Sequence, residues 1–137
     1  LRKSRPYVGW MAAASLAALS VVAWYATRTP ELVPLMVLND AQQHGEWVVS
    51  ADASRQHLSI APLRPTAVAA QHSLQLWLIP GGQAPVSMGL LHNDMPTRVT
   101  LRNTTLPPDA TIAISLEPAG GSPTGLPTGP VLYSGKL

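Results

Sequence analysis

Four histidines, His44, His57, His72 and His92, and seven carboxylates are the side chains of this sequence that could move protons or hold a cation. A metal site needs several such ligands at short, fixed spacings, because all of them must converge on one ion. These histidines are scattered, with no pair four residues apart, and they read as solvated loop or strand-face residues. Asp40, Glu46, Asp52, Asp94, Asp109 and Glu117 mostly abut turn signals, where acidic side chains are ordinary, so the turn reading is preferred to a glycosidase-type acid pair. There is no cysteine, which removes disulfides, thiol nucleophiles and thiolate ligands and leaves the redox compartment open. No serine stands in G-x-S-x-G, and Gly121-Ser122-Pro123 lacks the strand-to-helix elbow that activates a nucleophile. Gly120 to Gly125, GGSPTG, matches a phosphate loop in glycine content alone, without the lysine or the following helix. Asn103-Thr104-Thr105 fits a glycosylation acceptor, a pattern with meaning only in a eukaryotic secretory route. These residues predict no catalytic centre, no metal and no cofactor, so the chain is not expected to be an enzyme.

The element around which the chain is organised is Val8 to Ala26, VGWMAAASLAALSVVAWYA, nineteen residues without a charge. At the helical rise this run reaches about 28 Å, close to the ~30 Å hydrocarbon thickness of a bilayer. Alanine, leucine and methionine favour the helix, and in lipid only a helix satisfies every backbone group within one segment. Tyr7 and Trp10 at one end and Trp24 and Tyr25 at the other suit two headgroup layers. The expectation is a transmembrane helix over residues 8–26. A buried globular helix would show a polar face, and a cleaved signal peptide would have a shorter apolar run and a small-x-small exit, where Trp24 stands instead. Arg2, Lys3 and Arg5 precede the run and only Arg28 closely follows it, which places residues 1–7 in the cytosol and the C-terminal part outside. The sequence opens on Leu1 rather than methionine, and an upstream cytosolic part is expected.

Charge divides in the same way. Residues 1–28 carry +4 and the remainder −2, so the formal net charge of +2 is a topology signal rather than a footprint for nucleic acid. Thirteen of the fourteen prolines lie at or after Pro30, a density that opposes long helices and favours short strands between rigid turns. Residues 27–34 read as an exposed stalk, followed by an extracytoplasmic domain over 35–137. Strands are expected at Leu32–Asn39, Glu46–Ala51, His57–Ala61, Ser73–Ile79, Val86–Leu91, Thr97–Leu101, Thr111–Glu117 and Val131–Gly135, from alternation and bounding turn residues. In Ser73–Ile79 both faces are partly apolar, which marks a central strand. Residues 66–72 are left open between a helical turn and an irregular crossover. Pro118 to Pro130, PAGGSPTGLPTGP, holds four prolines and four glycines and is expected to be an irregular connection stiffened by proline. About eight short strands imply an all-β antiparallel sandwich, with an immunoglobulin-like topology as one arrangement.

Two blocks add a resemblance. Leu74 to Leu91, LQLWLIPGGQAPVSMGLL, and Ala113 to Leu137, AISLEPAGGSPTGLPTGPVLYSGKL, resemble the extracytoplasmic domain of RskA-like anti-sigma factors, the anti-sigma-K family. The residues that carry it are Leu76, Trp77, Leu78, Pro80, Gly81 and Gly82 in the first block. In the second they are Glu117, Pro118, Gly120, Gly121, Ser122, Pro123, Thr124, Gly125, Pro127, Thr128, Gly129, Pro130, Tyr133 and Gly135. The resemblance implies a single-pass protein of the bacterial inner membrane, with its C-terminal domain periplasmic. It implies partners in an extracytoplasmic-function sigma factor, bound through the upstream cytosolic domain, and in envelope and intramembrane proteases that release it stepwise. The alternative from the residues alone is a membrane-anchored sandwich that binds a peptide or carbohydrate.

Overall fold

The computed structural model describes residues 7–137, with side chains from Trp10 onward, so Arg2, Lys3 and Arg5 lie outside the described residues. The chain divides after Pro30 into two units.

In the first unit Tyr7–Ala26 forms one α-helix, α1. Its hydroxyl groups are turned back on the helix: Ser15, Ser20 and Thr27 donate to the carbonyls of Met11, Leu16 and Ala23 at 2.9, 2.8 and 3.0 Å. Apolar side chains are exposed along its length, including Trp10, Leu16, Leu19, Val22 and Tyr25. The helix stops where Arg28 N–H reaches back to the Tyr25 carbonyl, two residues before Pro30. The Arg28 guanidinium lies 3.5 Å from the centroid of the Trp24 ring. The expectation that residues 8–26 cross a bilayer finds no support here. Among the described residues no helix is long and apolar enough to cross a membrane.

The second unit, Glu31–Leu137, is all antiparallel β. Its strands are β1 (Val33–Asn39), β2 (Gly45–Ala51), β3 (His57–Pro62), β4 (His72–Ile79), β5 (Val86–Leu91), β6 (Thr97–Thr100), β7 (Thr111–Pro118) and β8 (Val131–Lys136). All eight expected strands form, with ends moved by a residue or so. Residues 66–71 are irregular, with no helix there, and His72 opens β4.

The sandwich expectation is corrected. The strands make one sheet, in the order β5-β4-β7-β8-β1-β2-β3-β6, that curls into a nearly closed barrel. The joint is β8, which pairs with β7 along most of its length and with β1 at Asn39–Ser134. That one strand fuses what would have been two sheets, so the immunoglobulin-like arrangement is excluded.

Inside the curl, Leu38, Trp47, Val49, Leu58 and Ile60 from one side meet Leu74, Leu76, Leu78, Ile112 and Ile114 from the other. Each buried side chain of this size contributes about 1.5–3 kcal/mol over its exposed state. Leu101, Leu106 and Ala110 belong to the same buried core. They are carried by an irregular segment whose backbone is bonded into place through Leu101 N–H to the Gln56 carbonyl and Leu106 N–H to the Arg55 carbonyl. Tyr133 packs beside Trp47, ring centroids 6.1 Å apart.

Candidate functional site

On the outer face of β4 and β7, alternation directs Ser73, Gln75 and Trp77 from one strand and Ala113, Ser115 and Glu117 from its neighbour the same way, in the register Ser73–Glu117, Gln75–Ser115 and Trp77–Ala113. Such a face would ordinarily meet solvent. Instead Trp77, Ser115 and Glu117 are each 0% exposed, and residues 119–130 fold back onto this face as a strap bonded to Ser73, Gln75 and Glu117.

The strap is fastened by hydrogen bonds from both strands. Gly120 N–H donates to Ser73 Oγ at 3.1 Å, and Ser122 N–H to Gln75 Oε1 at 2.6 Å. The Gln75 amide in turn donates to Ser87 Oγ on β5 at 2.7 Å. At the far end the Glu117 carboxylate accepts from the N–H groups of Thr128 and Gly129 at 3.0 and 3.2 Å, and from the Thr128 hydroxyl. Ser115 Oγ donates to the same carboxylate at 2.6 Å and accepts from the Trp77 indole N–H at 2.8 Å. The chain of donors therefore runs Trp77, Ser115, Glu117, with the strap closing on its end. Burial alone would push the Glu117 pKa up. The hydrogen bonds from Ser115, Thr128 and Gly129 outweigh it and hold the carboxyl below the ordinary glutamate value.

Glycine is required where the strap touches the sheet. A Cβ on Gly129 would lie 1.7 Å from the Leu116 carbonyl oxygen, and one on Gly121, at φ +103°, 2.9 Å from Gln75 Oε1. Within the strap, Ser122 Oγ donates to the Leu126 carbonyl and Thr124 N–H donates to Ser122 Oγ at 3.3 Å, so the middle of the loop is tied to itself.

The sequence-derived motif residues thus sort by place. Leu76 and Leu78 point into the barrel, where Tyr133 also packs. Pro80, Gly81 and Gly82 form the β4–β5 turn, closed by Gln83 N–H on the Pro80 carbonyl, with Asp109 against Gly81. Gly135 sits against the Val37 carbonyl on β1. Trp77, Glu117, Thr128 and Gly129 are the clasp, and Pro118, Gly120, Gly121, Ser122, Pro123, Thr124, Gly125, Pro127 and Pro130 belong to the strap and its ends. The reading of Glu117 as a turn-side carboxylate is corrected: it is buried and bonded. The alternation S-L-E already placed Ser115 and Glu117 on one face beside Trp77, an apolar residue on a side that needed a cover.

The other titratable residues do not converge. Asp52 Oδ2 accepts from Ser54 Oγ at 2.7 Å and lies 2.8 Å from His57 Nδ1, while its Oδ1 takes the N–H groups of Gln56 and His57, a cap on the β2–β3 turn. The His57 bond, opposed in part by desolvation and helped by Ser54, holds the Asp52 carboxyl well below its usual range. Asp40 similarly caps the β1–β2 turn through His44 and Gln42. Glu46 pairs with Arg64 at 2.5 Å beside an open groove of about 490 Å³. The Asp52–His57 pair has the acid–imidazole contact found in a hydrolytic triad, yet Ser54 bonds the aspartate rather than the ring, so the arrangement activates no nucleophile. Among the described residues no group of three or more His, Asp or Glu is placed to hold a metal ion.

A family model described as "Anti-sigma-K factor rskA, C-terminal" matches residues 9–131. No curated protein and no solved structure matches the chain.

Proposed function

The chain belongs to the anti-sigma-K factor family, matched through that family's C-terminal region, and from this we propose that it is the anchor and extracytoplasmic regulatory half of a membrane-tethered anti-sigma factor. The observation that carries the reading is the single match over residues 9–131, which takes in both α1 and nearly all of the β unit. The family is regulatory rather than enzymatic. Its sigma factor is bound by a cytosolic segment on the N-terminal side of α1.

The anchoring role is supported by the character of α1. It has no charged residue from Val8 to Ala26, apolar side chains exposed along its length, and serine and threonine hydroxyls satisfied by its own carbonyls. A helix apolar on every side calls for an apolar surround. Arg28 and Trp24 together suit a headgroup layer, where a cation and an indole both find partners. Arg2, Lys3 and Arg5 favour a cytosolic N-terminus. The β unit, at −2, suits the periplasmic side, and residues 27–32, with Pro30, offer extended backbone before β1 to an envelope protease, ahead of an intramembrane protease acting on the helix.

The test is co-purification of the full-length protein, extracted from membranes, with extracytoplasmic-function sigma subunits, together with a sigma-dependent reporter. Capture of one sigma subunit, and a reporter that rises when the protein is deleted, is the expected result. Recovery of the protein from the soluble fraction without any sigma subunit overturns the proposal.

A further inference from the structure

The clasp has an unusual chemistry for a buried charge. Glu117 is fully buried and its carboxylate faces donors only: the Ser115 and Thr128 hydroxyls and the N–H groups of Thr128 and Gly129. Buried carboxylates are usually balanced by an arginine or lysine. Among the described residues the ion pairs are His44–Asp40, His57–Asp52 and Arg64–Glu46, none of which involves Glu117. The strap, residues 119–130, contains no titratable side chain. From β4 the titratable group beside Glu117 is His72, whose Nδ1 is 3.3 Å from the Glu117 main-chain oxygen rather than from the carboxylate.

We propose that residues 119–130 are an acid-released strap, held shut by the ionised Glu117 carboxylate and freed when that carboxylate takes up a proton, which uncovers Trp77 and the outer face of β4 and β7 while the barrel interior stays folded. An ionised carboxylate is an acceptor at every lone pair, and here two N–H and two O–H donors aim at it. Protonation converts one acceptor position into an O–H donor facing those donors, so at least one buried donor loses its partner. The Ser115 and Thr128 hydroxyls can rotate, but the N–H groups of Thr128 and Gly129 are fixed in the strap backbone. The strap is therefore the part that yields. The barrel core, filled by Leu38, Trp47, Val49, Ile60 and Ile114, shares no hydrogen bond with the clasp. The sign follows from the carboxyl's depressed value: the strap is shut at neutral pH and opens as the pH falls below the ordinary glutamate range. This goes beyond the anti-sigma reading and does not depend on it. Its outcome would be a second stretch of backbone, rich in proline and glycine, that becomes accessible on acidification.

Amide hydrogen exchange on the purified full chain tests it, corrected for intrinsic exchange rates and followed from neutral pH down past about 4.3, the ordinary glutamate value. The amides of Ser122, Thr128 and Gly129 are expected to lose at least tenfold in protection on acidification, while those of Val49 and Ile60 keep theirs. Glu117→Gln should leave the strap amides unprotected at neutral pH and remove their pH dependence. Ser115→Ala, which deletes one donor and leaves the carboxylate, should move the opening to higher pH, and His72→Gln should leave it in place. Strap amides that stay protected throughout acidification, or that lose protection only together with Val49 and Ile60, overturn the proposal. An opening that follows His72→Gln rather than the Glu117 and Ser115 variants does so too.

Discussion

Trp77 Nε1 lies 2.8 Å from Ser115 Oγ, whose hydroxyl in turn donates to Glu117, so an indole buried on the outside of a barrel is linked by hydrogen bonds to a carboxylate. The other fully buried indole, Trp47, stands inside the barrel with its N–H unpartnered. The two tryptophans therefore owe their burial to different balances of shape and polarity.

That contrast predicts different responses to the same change. Trp77→Phe removes a donor and leaves Ser115 Oγ with one fewer partner, a loss of about 1–3 kcal/mol beyond the change in ring size. Trp47→Phe loses ring area but also removes an unsatisfied buried donor, so its cost should be smaller by about 1 kcal/mol or more. Urea midpoints of the two variants check the order, and equal losses would mean that the Ser115 bond contributes nothing.

Gly129→Ala would drive a methyl group against the Leu116 carbonyl, with the new Cβ 1.7 Å from that oxygen. The backbone must move to relieve it, breaking both N–H bonds to Glu117, and the expected loss is about 3 kcal/mol or more. Thr124→Ala, in the exposed middle of the strap, should stay within about 0.5 kcal/mol. Thermal unfolding of both variants measures this, with strap proteolysis as a second readout.

Asp52 predicts part of the acid sensitivity of the β unit. Its carboxyl is held below its unfolded value chiefly by His57, with Ser54 and two backbone N–H groups adding to the effect. The stabilisation is therefore present above the unfolded value and lost as the pH falls through the folded one. Asp52→Asn should lower stability at neutral pH and flatten the acid limb of the stability profile, read from urea midpoints across the pH range. An unchanged acid limb would remove Asp52 from the account.

Ser134 is the residue through which β8 meets both neighbours, Ala113 on β7 and Asn39 on β1. Ser134→Pro removes a ladder donor at this joint, and a loss of about 2–4 kcal/mol is expected. Amide exchange should rise first at β8 and along the β1 edge. Protection that falls uniformly across the sheet would show that the joint has no local weakness.

Much of the β unit was legible in the residues. Alternation in SLQLWLI and TIAISLE, and breakers such as Pro80-Gly81-Gly82, located the strands because period and turn chemistry are local properties. Closure into one sheet was not legible, since it depends on Asn39 meeting Ser134 across most of the unit, a pairing that no local pattern encodes. Glu117 was misread for a related reason. A carboxylate next to Pro118 looks like a turn residue until a strap eleven residues further on, at Thr128, supplies its donors. For α1 the absence of charge was plain in the residues, while among the described residues no helix is long and apolar enough to cross a membrane.

The strand order has a consequence for how the protein is made. With β8 between β7 and β1, the sheet consists of β5-β4-β7 and β1-β2-β3-β6 until the eighth strand arrives. A chain emerging N-terminus first must keep both halves from sticking to unrelated partners while their inward leucines and valines are still bare. Delivery of Val131–Lys136 then joins the two sets of strands into one sheet. The interval before that delivery is when quality-control factors have the greatest opportunity to intercept it.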